Sequence, residues 1–291
     1  MKRVSRSRAP APLLVLVAIA SVQIGSATAR TLFDELGVAG TALWRLTLAS
    51  VILLLVLRPP LKTWTRQQWR AAALLGLAFA GMNLTFYLSL NVVPLGIAVT
   101  VEFMGPLLLA LAQTRRVTDL LWALLAGAGV VLLGLDPTGD VPVYGLLLAF
   151  TAGLFWAGYI LASAHVGQQL PGVDGLAAAL AIATLLVLPF GASGARAAFT
   201  DPSLLLAAAA VAMLSSVIPY GLELTALRRI PTRVFGVLMS LEPAAAAVSG
   251  RIVLGQQLGR RELVALVMVS CASAGITLVG REGRTPTPLL E

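Results

Sequence analysis

The chain has 291 residues, of which 58% are hydrophobic and only 12% charged, about half the charge of an average soluble domain. One globule cannot hide that much apolar side chain and keep a wettable surface, so the chain is read as an integral membrane protein whose constant partner is the lipid bilayer. A formal charge of +8 would suggest nucleic acid in a soluble protein. Here a cytoplasmic bias of loop charge explains it, and no nucleic-acid partner is expected. One cysteine (Cys271) and one histidine (His165) exclude a disulfide framework and a Cys/His metal cluster, and no cofactor or metal is expected.

A membrane helix needs about 20 mostly apolar residues. In chain order such runs lie near 12–29, 39–57, 71–90, 95–113, 119–135, 142–163, 175–193, 203–227, 233–254 and 262–280. The first also resembles a secretory signal, with a basic head and an Ala27-Thr28-Ala29 ending; the internal repeat described below needs it as a retained helix. Between the runs stand punctuators such as "LRPPLKTWTRQQWR", "DPTGDVP" and "LRRIPTR". Proline and glycine end helices there, and polar loops stay in water. Backbone groups in lipid must be satisfied within each segment, so the expected fold is an all-α bundle of about ten transmembrane helices. Ten spans put both termini on one side. That side carries 15 of the 21 Lys and Arg, including Lys2, Arg3, Arg6, Arg8, Arg58, Lys62, Arg115, Arg116, Arg228, Arg229, Arg281 and Arg284, against 5 on the other. The bias predicts cytoplasmic termini.

The chain carries an internal repeat. In "PLGIAVTVEFMGP" Pro94 and Pro106 are 12 apart, as are Pro231 and Pro243 in "PTRVFGVLMSLEP", 137 residues later. The same shift lays "LAFAGMNLTFYLSLNVVP" on "LSSVIPYGLELTALRRIP", and neighbouring shifts of 135 and 146 extend the match. Two five-helix units are expected, over 12–135 and 142–280. An odd number of spans per unit forces them into opposite orientations, a pattern of secondary transporters with a site near the midplane.

Two five-helix halves of this kind resemble the EamA-type transporters of the drug/metabolite transporter superfamily, over about residues 12 to 280. The strings "SVQIGSATARTLF", "GMNLTFYLSLNVVPLGIAVTVEFMGPLLLAL" and "IPTRVFGVLMSLEPAAAAVSG" are similar to bacterial inner-membrane exporters of threonine and homoserine. The resemblance implies efflux of small amino acids driven by proton entry. It leaves the substrate range and the oligomeric state open, because one scaffold carries many metabolites.

The residues carry their own reading. Glu102 sits about 10 Å deep in its run at 1.5 Å per residue, and Glu242 lies at similar depth. A charge there costs roughly 2.5–3.5 kcal/mol on insertion scales, so each carboxylate either lines a wet pathway or is a protonated packing residue. At a shift of 137, Glu102 matches Met239 and Glu242 matches Gly105; a site built from both is asymmetric. A membrane carboxyl can hold a proton or a substrate ammonium, but not both well, which is a physical basis for antiport. Pro106 and Pro243 free backbone groups beside these residues, for a ligand or for a kink. Arg45 either snorkels outward or grips a substrate carboxylate; the resemblance includes an arginine here. Asn83, Tyr87, Trp156 and Tyr159 bring polar tips into apolar runs, with Gln23 and Ser26 as weaker candidates. Glu223 is expected in an interfacial ion pair with Arg228 or Arg229. Trp44, Trp64, Trp69 and Trp122 suit interfacial belts. Ala123-x-x-x-Gly127 and Ser270-x-x-x-Ala274 suit close helix packing. A membrane-embedded enzyme would need a nucleophile–base pair or a metal set, and His165 in the loop "ASAHVGQQL" supplies neither.

Overall fold

The computed structural model describes residues 10–113, 117–134, 141–170, 174–227 and 229–279. Lys2, Arg3, Arg6, Arg8, Arg115, Arg116, Arg228, Arg281 and Arg284 lie outside them. The described residues form helices α1 (Ala11–Thr31), α2 (Val38–Leu57), α3 (Arg66–Leu90), α4 (Leu95–Glu102), α5 (Met104–Ala112), α6 (Val117–Gly134), α7 (Val143–Gln169), α8 (Asp174–Ala195), α9 (Pro202–Ala212), α10 (Ile218–Leu227), α11 (Thr232–Met239), α12 (Glu242–Leu254) and α13 (Arg260–Val279). Three pairs are broken spans: α4 with α5, α9 with α10, and α11 with α12. Counted so, nine spans among the described residues are long and apolar enough to cross a bilayer, and the apolar part of α6, Leu120–Leu133, is a shorter tenth. The chain is an all-α, multi-pass membrane protein, as its hydrophobic runs require.

Local chemistry sets the ends. Thr65 and Gln68 close a capping box at the start of α3. Arg58 in a left-handed conformation, then Pro59 and Pro60, ends α2, and Gly255 does the same for α12 with φ 67°. Two contacts near helix ends join partners from the same end of the bundle. Gln68 Nε2 donates to Gln169 O at 3.0 Å; at the opposite end Gln256 Oε1 accepts from Leu95 N at 2.9 Å. Both contacts obey strict up-and-down alternation of ten spans.

The breaks in the fourth and ninth spans fall at Phe103 and at Ser240–Leu241. Their cause lies two or three residues downstream. Proline has no N–H and crowds the carbonyl at i−4, so Pro106 releases the carbonyl of Glu102 and Pro243 that of Met239. A third proline, Pro219, releases Ser215 O, and the chain there widens into one π-turn, Met213–Val217.

The tightest crossing lies at the first break. Gly105 and Gly153 face each other, and a Cβ on either would run into the other segment's backbone. This brings α7 onto the α4–α5 junction, where Trp156 packs edge-on against Phe103 at 4.9 Å. Close packing of α6 on α13 uses other small residues than expected. Gly127 faces open space, while Gly129 meets Ala265 and Gly275 meets the Trp122 ring. The Trp122 ring thus packs directly on α13 at Gly275. Outward faces carry apolar side chains such as Leu121, Leu124, Leu185 and Phe190, as a lipid boundary demands.

Candidate functional site

The helix breaks open onto a central cavity of about 400 Å³. Eight of the ten spans line it; α6 and α8 stay outside. Helix α4 contributes Val99 and Glu102 to the wall, and all eight of its residues are buried. At its last residue, beside Phe103, Glu102 enters the cavity wall with 8% of its surface exposed. Glu242 begins α12 just after the second break and is 6% exposed. The two breaks are 137 residues apart, so the carboxylates flank equivalent interruptions from opposite sides. The offset read in the sequence thus has a structural form: one acid ends a half-helix and the other starts one.

Arg45 is 6% exposed and does not snorkel. Its Nε donates to Ser216 Oγ at 3.2 Å, its NH1 to Tyr87 OH at 3.2 Å, and its NH2 to Ser215 O at 3.0 Å. The last acceptor is the carbonyl that Pro219 releases. Three of the five guanidinium N–H groups are thereby used, all on neutral partners. The guanidinium also lies over the Tyr87 ring, 5.5 Å from its centroid. A buried cation with only neutral partners is incompletely compensated, and two N–H groups remain for an anion.

The other sequence candidates divide. Asn83, Trp156 and Tyr159 line the cavity. Asn83 Nδ2 donates to Phe79 O at 2.9 Å, which leaves its second N–H and its carbonyl oxygen for other partners. Tyr159 packs at a tilt against Phe79, ring centroids 4.9 Å apart, and Phe79 in turn meets Tyr220. Tyr87 is fully buried and stands behind Arg45 instead of in the wall. Gln23 and Ser26, the weaker candidates on α1, are both in the lining, so α1 is built into the centre of the bundle.

Glu223 departs from its expectation. It lines the cavity on α10, so the shallow interfacial reading is overturned; Arg228 lies outside the described residues. Its nearness to two arginines in sequence suggested an interface, but the π-turn before it rotates α10 and carries Glu223 inward. The cavity wall therefore holds three carboxylates, Glu102, Glu223 and Glu242, and one guanidinium. Glu102 interacts electrostatically with Arg45, and Glu242 with both Glu223 and Glu102. They are not a metal nest: no three His, Cys, Asp or Glu among the described residues are close enough to hold an ion.

Comparison with known proteins agrees with this architecture. Residues 143–278 match the EamA-like transporter family. The threonine/homoserine exporter RhtA of Salmonella typhimurium (strain LT2) is 42% identical over 272 residues, 92% of this chain and 92% of its own. The threonine/homoserine exporter RhtA of Escherichia coli (strain K12) is 42% identical over 273 residues, 93% of this chain and 92% of its own. One solved crystal structure superposes with a TM-score of 0.57 at 20% identity, over 94% of this chain and 99% of its own, a likeness of fold alone. With full-length relatives at that identity, the chain belongs to the EamA-like transporter family.

Proposed function

We propose that the chain exports small hydroxylated amino acids, of the threonine and homoserine kind, across the inner membrane in exchange for protons. The observation that carries the reading is the charge inventory of one central cavity: a guanidinium with two unused donors among a surplus of carboxylates. A zwitterion fits it. Its carboxylate completes Arg45 in the bidentate manner guanidinium favours, and its ammonium takes Glu102 or Glu242. Asn83, Tyr159 and Trp156 form the remaining wall, and Tyr87 holds Arg45 in place. The relatives' names agree with this chemistry, and membership of a transporter family sets a membrane-embedded enzyme aside.

Proton exchange follows from the same surplus. Arg45 can balance one carboxylate, so the others rest as anions only with a cation or a proton. A proton arriving from outside displaces the ammonium, and the ammonium displaces the proton on the inside. Two half-transporters in inverted orientation, 12–135 and 142–280, would supply the rocking elements. The packing supports that division. The pairing of α3 with α7 has its counterpart in α1 with α10, and α4 and α5 against α7 in α1 against α12.

The same fold moving lipophilic drugs is the rival reading. Such a cation could pair with the carboxylates but would bring no acceptor for the two remaining N–H groups of buried Arg45, and unmet buried donors are costly. Cells overproducing the protein should therefore tolerate inhibitory external threonine or homoserine and release more of both, with dye tolerance unchanged. Raised dye resistance with efflux at the empty-vector level would establish the rival.

The loop-charge bias supports a cytoplasmic side for both termini. Single cysteines at Gln67 and Thr200, both exposed at opposite ends of the bundle, should then label from opposite sides in a Cys271→Ser background. Gln67→Cys should react from the cytoplasm and Thr200→Cys from outside; the reverse assignment, or labelling of both from one side, would overturn this topology.

A further inference from the structure

Where α1 crosses the π-turn, the cavity wall contains two buried polar atoms with no partner. Gln23 Oε1 and Ser215 Oγ make no hydrogen bond within the described residues; both side chains line the cavity, each 2% exposed. Buried polar groups are nearly always satisfied, so each exception asks for an explanation. We propose that Gln23 and Ser215 form the subsite that reads the substrate's side-chain hydroxyl. The proposal rests on the amino-acid export reading and assigns it a selectivity element.

The junction is a built feature. Ser21 Oγ donates to Leu214 O at 2.7 Å and pins α1 to the π-turn. Gly25 lets the two approach, since a Cβ there would strike Ser215. Pro219 removes the hydrogen bond that would occupy Ser215 O, and Arg45 takes that carbonyl at 3.0 Å. A regular α-helix turns successive residues about 100° apart, whereas here Ser215 and Ser216 are both buried. Ser216 serves Arg45, and Ser215 is left toward α1.

The chemistry of the parts assigns the ligand. An ammonium has three donors and a full charge, and three carboxylates are at hand for it. A carboxylate belongs with Arg45. What remains in the same wall is a neutral acceptor on Gln23 and, on Ser215, a hydroxyl that can donate or accept. That pair complements one alcohol, which has one donor and two lone pairs. Its position fits as well: Arg45 is bonded to the backbone of Ser215 itself, so the Ser215 hydroxyl is one residue's reach from the carboxylate holder. In a hydroxylated small amino acid the alcohol is similarly close to the carboxylate.

A site that hydrogen-bonds a hydroxyl rejects an isostere that lacks one, because its own polar groups then stay unpaired. The test compares transport of threonine with valine, and of homoserine with norvaline, in proteoliposomes. Each pair differs by a methyl group in place of the hydroxyl. Gln23→Leu and Ser215→Ala should each lower the threonine-to-valine rate ratio by about tenfold, the scale of one neutral hydrogen bond. Should Gln23→Leu fail to insert, Ser215→Ala, which loses only an oxygen and keeps the carbonyl bonded to Arg45, carries the test alone. A ratio equal to wild type, whatever the absolute rates, overturns the subsite and makes both residues packing elements. Wild-type protein that moves neither threonine nor homoserine overturns the export reading, and the subsite with it.

Discussion

Glu242→Gln protein should reach the membrane at wild-type levels and lose gradient-driven threonine transport to background. Glutamine keeps the shape and one acceptor of the carboxyl but cannot bind and release a proton. Glu242 is the first residue of α12, next to a helix N-terminus whose partial positive charge favours an anion. In the cavity it shares its field with Glu102 and Glu223. One of three neighbouring acids can therefore give up its proton only when a cation replaces it, and removing Glu242 removes that exchange. Glu102→Gln is the companion variant, at the last residue of α4 and within the field of Arg45. Wild-type accumulation by both, at equal protein in the membrane, would make these carboxyls packing residues and end the antiport account.

The second large effect is structural. Gly105→Val and Gly153→Val should each remove most folded protein from the membrane. Overpacking a core costs about 1–3 kcal/mol when side chains can yield. Here the added carbon meets backbone on the opposite segment, and backbone at this junction has nowhere to go. The carbonyl freed by Pro106 lies against Gly153, so a shift of α7 also displaces Glu102 and Trp156. Gly127→Val is the control, since nothing lies near that position. Normal yield and transport of the Gly105 and Gly153 variants would show that α7 does not sit on the break as described.

Much of this was readable in the chain. Ten apolar runs gave the spans within a few residues, because twenty-residue hydrophobicity leaves no competing structure in lipid. The proline spacing pointed to the breaks beside Glu102 and Glu242, because the missing N–H is a local property. Side-chain partners were less legible. Arg45 meets Ser215 and Ser216 across some 170 residues, and nothing in the local pattern of "TALWRLTL" names them. Pro219, four residues after Ser215, was the available signal for a released carbonyl. Glu223 was misplaced because nearby arginines suggested an interface, whereas a π-turn several residues earlier sets the face it presents. The Ala123-x-x-x-Gly127 spacing points to one face of α6, whereas the contact with α13 falls at Gly129, because only the partner helix decides which small residue is used.

The most direct measurement is uptake of labelled threonine and homoserine into proteoliposomes of the purified protein, with the lumen acidic and then with the gradient collapsed. An exporter that exchanges amino acid for protons should accumulate both substrates against their gradient when protons can leave the lumen, and should only equilibrate them once the gradient is gone. Absence of uptake of either amino acid in both conditions, by protein that is folded and inserted, would contradict the account.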